Sequence, residues 1–247
     1  MDSKTFYYSI PPQVYDDQFW WKKDDIEFWK NVLQTSSSIL ELAAGTGRLG
    51  LPLINEGYNY YGLDISKEYC AFANNKLSSD NFRFICGDMR FFQFEKKFDA
   101  IFIPFNSLLH LLTEKDLEKA LASIKNHMHT ESELFIDIFM PHNSYLYNST
   151  NQKRIEFYNS TNKKETIIKE SLIYDANKEI IYVKWIYESN KKTYDTFNFK
   201  MKIYYPDTIN RILVDSGFEV VNFWGDYDQS LFSLESNLQI YQCRINH

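Results

Sequence analysis

The sequence predicts an α/β fold in which helices cover both faces of a doubly wound parallel sheet, with an antiparallel β insertion. Two observations carry this prediction. Between residues 38 and 140, short apolar runs alternate with segments of helical periodicity, which is the pattern of repeated strand–helix–strand units. Between about residues 144 and 205, β-rich stretches follow one another with no helix-length segment between them, so these strands must pair antiparallel.

The α/β region begins with an aromatic-rich amphipathic segment, residues 15–33, in which we expect one or two helices. Capping residues then mark helix ends: Ser66 and Thr113 are N-cap types, and Gly57 is a C-cap type. Strands are predicted at residues 39–42, 58–63, 82–86, 98–103 and 133–139, and helices at 48–55, from 66 to about Leu77, and at 114–126.

The insertion contains four predicted strands, at residues 154–158, 166–174, 179–187 and 195–203. Apolar and polar residues alternate within the third of them, and residues 175–178 have the composition of a hairpin turn. After the insertion, Pro206 opens a helix that runs to about residue 216, and Gly217 ends it. Two last strands, 218–224 and 238–245, predict an antiparallel hairpin at the sheet edge. We therefore expect a single domain, residues 1–247, with an insertion over residues 145–205.

Composition excludes several classes of function. The net charge is −6, from 33 acidic and 27 basic side chains, so we expect no nucleic-acid partner. The three cysteines, Cys70, Cys86 and Cys243, form no C-x-x-C motif, which predicts neither a zinc site nor a disulfide framework and favours a reducing cytoplasm. Residues 1–5 are polar, and the longest apolar run, 101–112, is interrupted by polar residues. We expect no signal peptide and no membrane partner.

A glycine-rich segment after the first strand is the strongest local signal. Gly45, Gly47 and Gly50 satisfy G-x-G-x-x-G between a predicted strand and a predicted helix. Asp64 closes the next strand about 20 residues later, where a carboxylate accepts hydrogen bonds from both ribose hydroxyls. These residues indicate a nucleoside-containing ligand. The alternative is an unliganded turn that needs glycine only for its backbone angles.

Two further acidic residues favour one kind of nucleoside. Glu41 lies near the carboxyl end of the first strand, where a carboxylate would repel the pyrophosphate of a dinucleotide. It suits a ligand that carries positive charge, such as the sulfonium and ammonium groups of S-adenosylmethionine. Asp88 follows the third strand and is placed to accept a hydrogen bond from an adenine amino group. A cationic adenosyl ligand is therefore favoured over a nicotinamide dinucleotide.

The motifs E-L-A-A-G-T-G-R, G-L-D-I-S, G-D-M-R and F-D-A-I-F-I-P-F-N-S-L-L-H-L together resemble the class I S-adenosylmethionine-dependent methyltransferases. The resemblance covers about residues 15–140 and resumes over 206–245. It implies a Rossmann-like sheet of seven strands, the last antiparallel, and S-adenosyl-L-methionine as cofactor. It also implies the following cofactor contacts: Glu41, Ala43, Gly45, Gly47, Arg48, Asp64, Ile65, Asp88, Met89 and Phe105.

Within this class the chain looks most like small-molecule N-methyltransferases, such as the sugar-amine dimethyltransferases and the glycine or sarcosine enzymes. An aromatic N-terminal segment, a histidine after the fourth strand and the antiparallel insertion carry this likeness. It implies methyl transfer to a small-molecule acceptor, nitrogen favoured over oxygen, in a monomer or homodimer, with the insertion covering the acceptor pocket. The alternatives are a nicotinamide-dependent oxidoreductase and a non-catalytic protein that binds S-adenosylmethionine.

The candidate catalytic residues are His110 and Tyr15. His110 has a side chain able to accept a proton near neutral pH, or it bonds a backbone group at a helix entrance. Tyr15 closes over the methionine end of the cofactor, by the resemblance, or simply packs. Arg48 contacts the cofactor carboxylate or is a solvated residue in the first turn of its helix. Asn106 and Asp137 are possible metal ligands by type, but no pattern indicates a metal, and none is expected.

Overall fold

The computed structural model describes residues 9–76, 82–147 and 152–246. For Phe82 it describes the backbone only. The polar residues 1–5 and the predicted helix end near Leu77 lie outside the described residues. The described chain divides into two compact units. The larger unit contains residues 24–76, 82–140 and 205–246, and the smaller unit contains residues 9–23, 141–147 and 152–204. The expectation of one domain with an insertion over 145–205 stays a prediction.

The described strands, in chain order, are β1 (Ser38–Leu42), β2 (Asn59–Asp64), β3 (Phe82–Cys86), β4 (Phe98–Ile103), β5 (Met128–Phe139), β6 (Gln152–Asn159), β7 (Lys164–Asp175), β8 (Ile180–Ser189), β9 (Lys192–Lys202), β10 (Phe218–Trp224) and β11 (Leu238–Ile245). The helices are α1 (Pro12–Gln18), α2 (Ile26–Val32), α3 (Gly50–Asn55), α4 (Lys67–Lys76), α5 (Glu114–Asn126), α6 (Asn143–Tyr147) and α7 (Pro206–Asp215). A 3-10 turn, Ser107–His110, lies between β4 and α5.

The larger unit is built on a seven-stranded sheet with the order β10–β11–β5–β4–β1–β2–β3. Strands β1 to β5 pair parallel with one another, whereas β11 pairs antiparallel with both β5 and β10. This is the predicted Rossmann-like sheet with its last strand antiparallel, and the prediction is confirmed. In such a sheet the loops that follow β1 to β4 all leave from the same edge, called the carboxyl edge below.

Both faces of this sheet are covered. Ala100 and Phe102 of β4 belong to a buried cluster with side chains from α2, α3 and α4. Ile101 and Ile103 alternate with them along the strand and so point to the opposite face, where they are also fully buried. Helices α5 and α7 contact each other and bury their own apolar stripes. Burial on both faces explains why these strands read as continuous apolar runs.

The differences from the predicted elements lie at the ends of strands and helices. The largest is in β5, which was predicted over residues 133–139 but begins at Met128. The helix predicted from Arg48 begins instead at Gly50, and Leu49 is its N-cap residue. The aromatic segment 15–33 forms two short helices, α1 and α2. The cap predictions at Ser66 and Thr113 are confirmed, since each side-chain oxygen accepts a hydrogen bond from a backbone amide in the first helical turn.

The smaller unit contains a four-stranded antiparallel sheet with the order β6–β7–β8–β9. Alternate residues of β8, namely Ile181, Val183, Trp185 and Tyr187, are buried, which confirms the predicted alternation. The turn between β7 and β8 begins with Asp175, whose carboxylate accepts hydrogen bonds from the Asn177 and Lys178 amides, as its composition predicted. Across the described ranges, no helix combines the length and apolar character needed to cross a membrane.

Candidate active site

The loop between β1 and α3 has the backbone that its glycines predict. Gly45 and Gly47 have φ angles of 56° and 81°, which glycine adopts at little cost, and Ala43 also has a positive φ, 56°. The Ala44 amide donates to the Leu63 carbonyl oxygen at 3.0 Å, so the loop is fastened to the end of β2. The result is a tight turn of mostly buried main chain, without bulky side chains, at the carboxyl edge of the sheet.

Asp64, the last residue of β2, connects three loops at this edge. One carboxylate oxygen accepts from the Gly45 amide at 2.8 Å and the other accepts from the Ser66 amide at 2.8 Å. Its own carbonyl oxygen accepts from the Gly87 amide after β3, also at 2.8 Å. Burial raises the pKa of Asp64 to about 6, although the hydrogen bonds from Ser66, Gly45 and half-buried Ile65 oppose this shift.

Glu41 lies within β1 and is almost fully buried, with 4% of its surface exposed. Its carboxylate accepts a hydrogen bond from the Tyr60 hydroxyl at 2.5 Å. Burial raises the pKa of Glu41 to about 8, and the Tyr60 hydrogen bond and the Arg48 charge lower it only in part. At neutral pH the group is therefore largely protonated, and a cation placed beside it would favour ionisation.

Arg48 forms a bidentate ion pair with Asp25, the residue before α2. Its two terminal nitrogens lie 2.7 and 2.6 Å from the two Asp25 carboxylate oxygens, and Asp25 is fully buried. The guanidinium carbon also lies 5.5 Å from the centroid of the Phe105 ring. The expectation of a solvated residue in the first turn of a helix is therefore wrong. Contact of Arg48 with a cofactor carboxylate stays a prediction.

Asp88, two residues after the end of β3, is held by Arg90. The Arg90 side chain donates to both Asp88 oxygens, the shortest distance being 2.6 Å, and reaches Asp116 of α5 at 2.9 Å. Asp88 is thus paired with a cation of its own loop, and half-buried Met89 lies between the two residues. Hydrogen bonding from Asp88 and Met89 to adenine stays a prediction.

The loop after β4 carries His110. Phe105 and Asn106 have consecutive positive φ angles, 54° and 64°. The chain then enters the 3-10 turn, in which Leu108 and Leu109 are buried and His110, its last residue, is half-buried. The turn brings His110 to the same edge of the sheet as the glycine loop, in agreement with its predicted position, while its role stays a prediction.

Tyr15 belongs to the smaller unit. It lies on α1, is half-buried, and its ring packs edge-on against Phe19 at a centroid distance of 4.8 Å. Its predicted closure over a cofactor stays a prediction. No cluster of three or more histidine, cysteine or acidic side chains with the arrangement of a metal site occurs within residues 9–76, 82–147 and 152–246.

Several partners of the candidate residues were not foreseen from the sequence. Arg90 is the one with a local signal, since Asp-x-Arg after a strand places opposite charges within reach. Tyr60 could be predicted as the partner of Glu41 only from the strand register. Strands β1 and β2 pair in parallel with Glu41 opposite Gly62, so Tyr60, two residues before Gly62, lies on the same face of the sheet as Glu41. Asp25 and Tyr227 carry no local signal, because their partners lie 23 and 90 residues away in the chain.

Comparison with known proteins agrees with this architecture. A family model described as a methyltransferase domain matches residues 39–131. In the structure of an S-adenosylmethionine-dependent methyltransferase from Clostridium acetobutylicum ATCC 824, 97% of the chain superposes on 95% of this one, with a TM-score of 0.77 at 18% identity. The chain thus shares its fold with that methyltransferase, and residues 39–131 match a methyltransferase domain.

Two curated relatives are similar in sequence to part of this chain. The dTDP-3-amino-3,4,6-trideoxy-alpha-D-glucopyranose N,N-dimethyltransferase of Streptomyces venezuelae is 32% identical over 93 residues, which are 38% of each chain. The glycine/sarcosine N-methyltransferase of Halorhodospira halochloris is 31% identical over 106 residues, 41% of this chain and 40% of the relative. The matched segments thus span about two fifths of either relative's length.

Proposed function

We propose that this protein transfers a methyl group from S-adenosylmethionine to a small-molecule acceptor, with nitrogen preferred over oxygen. The observation that carries the proposal is the arrangement at the carboxyl edge of β1, β2 and β3. There the glycine loop is flanked by the acidic residues Glu41, Asp64 and Asp88, two of which are almost fully buried. Buried acids beside a loop without bulky side chains suit a nucleoside that carries positive charge, and they oppose a pyrophosphate.

The residues present fit the proposed cofactor. Glu41 would bind the ammonium group of the methionine moiety, Asp64 the ribose hydroxyls, and Asp88 with Met89 the adenine. The raised pKa of Glu41, about 8, supports this assignment, because it reflects burial that the charges of the chain itself do not offset. Arg48, the nearby cation, directs both terminal nitrogens to Asp25 rather than to Glu41.

The chemistry asks little of the protein beyond orientation and proton removal. S-adenosylmethionine supplies an activated methyl group on a sulfonium that is a good leaving group. The loop after β4 has to align the acceptor nucleophile and exclude water, an effect worth up to ~7–11 kcal/mol in favourable systems. An imidazole nitrogen of His110 would take the proton from an ammonium or hydroxyl acceptor. A neutral amine needs no base, so activity would persist without His110.

The preference for nitrogen rests on the relatives. Both curated relatives reported above are named as N-methyltransferases, one of an amino sugar nucleotide and one of glycine and sarcosine. We therefore propose a primary or secondary amine on a small polar molecule as the acceptor. That the insertion covers the acceptor pocket and that Tyr15 takes part in the site stay predictions.

Calorimetry with three ligands tests the proposal. We expect S-adenosylmethionine and its demethylated product to bind at micromolar concentration, and NAD not to bind. Micromolar NAD binding without a response to the methyl donor would identify an oxidoreductase instead. Turnover is then measured as release of the demethylated product with a panel of amines, amino sugars and amino acids. Tight binding of the donor without turnover on any amine, alcohol or thiol would favour a non-catalytic binding protein.

A further inference from the structure

Asp137 of β5 is a buried carboxylate that the proposed chemistry does not use. It is 1% exposed and is hydrogen-bonded to the loop after β4. One of its carboxylate oxygens accepts from the Phe105 amide at 3.0 Å, and its carbonyl oxygen accepts from the Asn106 amide at 3.0 Å. In return, the Asn106 side-chain oxygen accepts from the Phe139 amide at 2.6 Å. Asp137 and Phe139, alternate residues of β5, are thus hydrogen-bonded to two consecutive residues of the loop, Phe105 and Asn106.

Those two peptide units have a backbone that needs holding. Phe105 and Asn106 have φ angles of 54° and 64°, in the left-handed region. Asparagine tolerates this region, but a bulky residue such as phenylalanine rarely adopts it, and such conformations persist only where surrounding contacts enforce them. The hydrogen bonds from β5 are the contacts that enforce it here. The 3-10 turn that carries His110 starts at the next residue, Ser107.

A second side chain secures Asp137 from the other side. The Tyr227 hydroxyl, in the connection between β10 and β11, donates to the same carboxylate oxygen at 2.8 Å. Burial, and then the neighbouring Asp137 charge, raise the pKa of Tyr227 well above its usual range, so the hydroxyl remains a donor at all physiological pH values. The Tyr227 ring packs against Phe28 of α2 at a centroid distance of 5.5 Å, which fixes its position.

We propose that Asp137 is a positioning residue that holds the Phe105–Asn106 turn in its left-handed conformation. Tyr227 fixes Asp137 in place. By holding the turn, Asp137 sets the positions of His110 and of the Phe105 ring. The proposal rests on the proposed function for its consequence in turnover. Its structural part, that Asp137 controls the loop, can be tested without any acceptor or cofactor.

The direct test follows the His110 side chain by nuclear magnetic resonance in protein labelled with carbon-13 at the histidine ring. Asp137→Asn keeps the size of the side chain but introduces an NH₂ group where two donors converge, and Tyr227→Phe removes one donor. We expect both variants to shift or broaden the His110 signal, the first more than the second. The His127 signal is an internal control, because that ring is fixed by the Phe94 amide and the Ser123 carbonyl.

Matched variants separate positioning from general destabilisation. Asp99→Asn removes a carboxylate that accepts three hydrogen bonds from Ser37 and Ser38, away from the loop. Tyr241→Phe removes a buried hydroxyl of the same terminal hairpin, which donates to Gln239. Neither should move the His110 signal. With a verified acceptor, Asp137→Asn should lower kcat roughly 10²-fold, as expected for a misplaced catalytic group, and should change the Kd for S-adenosylmethionine by a much smaller factor.

Each outcome of these measurements either supports or overturns the role of Asp137 as a positioning residue. An unmoved His110 signal in both Tyr227→Phe and Asp137→Asn would overturn the proposal, as would equal shifts of the His110 and His127 signals. Should Asp137→Asn not fold, Tyr227→Phe alone decides in the same way. If the wild type bound no S-adenosylmethionine, the proposed function would fall, while the His110 signal would still show whether Asp137 holds the loop.

Discussion

At the amino edge of the seven-stranded sheet, the chain satisfies its acidic residues itself, whereas at the carboxyl edge it leaves two of them poorly stabilised. Asp99, near the start of β4, accepts hydrogen bonds at 2.7–2.9 Å from the Ser37 amide, the Ser37 hydroxyl and the Ser38 amide. Partial burial alone would raise the pKa of Asp99, but these hydrogen bonds outweigh it and lower the pKa. Glu133 is similarly held by Arg244 and Gln242.

The carboxyl edge shows the opposite balance. Glu41 and Asp64 also accept hydrogen bonds, yet burial dominates, and their pKa values rise to about 8 and about 6. The difference between the edges is therefore one of compensation rather than of residue type. Acids whose ionised form the protein does not stabilise on its own are a feature of binding and catalytic sites. At this edge the missing stabilisation is what a cationic ligand would supply.

The largest effect that tests this comparison is expected from Asp64→Ala. Loss of two hydrogen bonds to a charged acceptor should weaken S-adenosylmethionine binding by roughly 3–6 kcal/mol, which is ~10²–10⁴-fold in Kd. Calorimetry measures this, and circular dichroism confirms that the variant folds. Asp99→Ala, at the opposite edge, should leave the Kd within about twofold. A folded Asp64→Ala variant with the wild-type Kd would remove Asp64 from the binding site.

A histidine at each edge provides the second test. General-base assistance typically contributes 10²–10⁴-fold, so His110→Ala should reduce turnover by about that factor while cofactor affinity stays within a few-fold. The loss should shrink as pH rises, because an amine acceptor then arrives already deprotonated. His129→Ala changes an exposed residue at the start of β5 and should leave turnover intact. Wild-type turnover of His110→Ala from pH 6 to 9 on a verified acceptor would make His110 structural.

Much of the fold could be predicted from the sequence, because hydrophobic runs are bounded by polar residues wherever a strand ends. The four strands at 82–86, 98–103, 218–224 and 238–245 were predicted to the residue. The start of α3 was misplaced because the spacing of Leu49 and Leu53 continues a helical pattern back into the loop. No periodicity reveals that Gly45 and Gly47 turn the backbone left-handed there.

The candidate site was also predicted only in part. Glu41, Asp64 and Asp88 were found because acidic residues at strand ends stand out against apolar strands, and all three lie where predicted. Their environments could not be predicted, since burial and hydrogen bonding depend on segments far apart in the chain. The Arg48–Asp25 ion pair and the grip of Asp137 on the loop after β4 are products of the tertiary structure alone.

The third test concerns the stability of the protein without ligand. A carboxyl group whose pKa is higher in the folded than in the unfolded state stabilises the fold only while it is protonated. Stability should therefore fall as pH rises from about 4.5 towards 8, by on the order of 4 kcal/mol for Glu41. Glu41→Gln removes the ionisation and should be more stable than the wild type at pH 8, with the difference falling to about 1 kcal/mol or less at pH 5. Urea denaturation at both pH values measures the difference, and equal stability at pH 8 would contradict it.

The same group makes ligand binding depend on pH. If a cation binds the ionised form of Glu41, binding at pH 7 must release a proton, and affinity should improve by up to tenfold per pH unit between pH 6 and 8. This window lies above the pKa of Asp64, about 6, so Glu41 dominates it. Calorimetry in phosphate and in Tris reports the released proton as a difference in apparent enthalpy. Glu41→Gln should abolish both effects. A wild-type Kd that does not change from pH 6 to 8 would argue against contact between Glu41 and the cation.

The smallest effect is expected at the amino edge, from Asp99→Asn. The lowered pKa of Asp99 means that its ionised form stabilises the fold above the pKa of the unfolded chain, near 3.8, and that this contribution disappears as pH falls below that value. Because Asp99 is only partly buried, solvent screening limits the loss at pH 7 to about 1 kcal/mol. The sign is therefore opposite to that of Glu41→Gln: one substitution destabilises the protein at pH 7–8 and the other stabilises it. Urea denaturation of both variants at pH 7.5 makes the comparison. If Asp99→Asn also stabilised the protein, the two edges would not differ in how they compensate their acids.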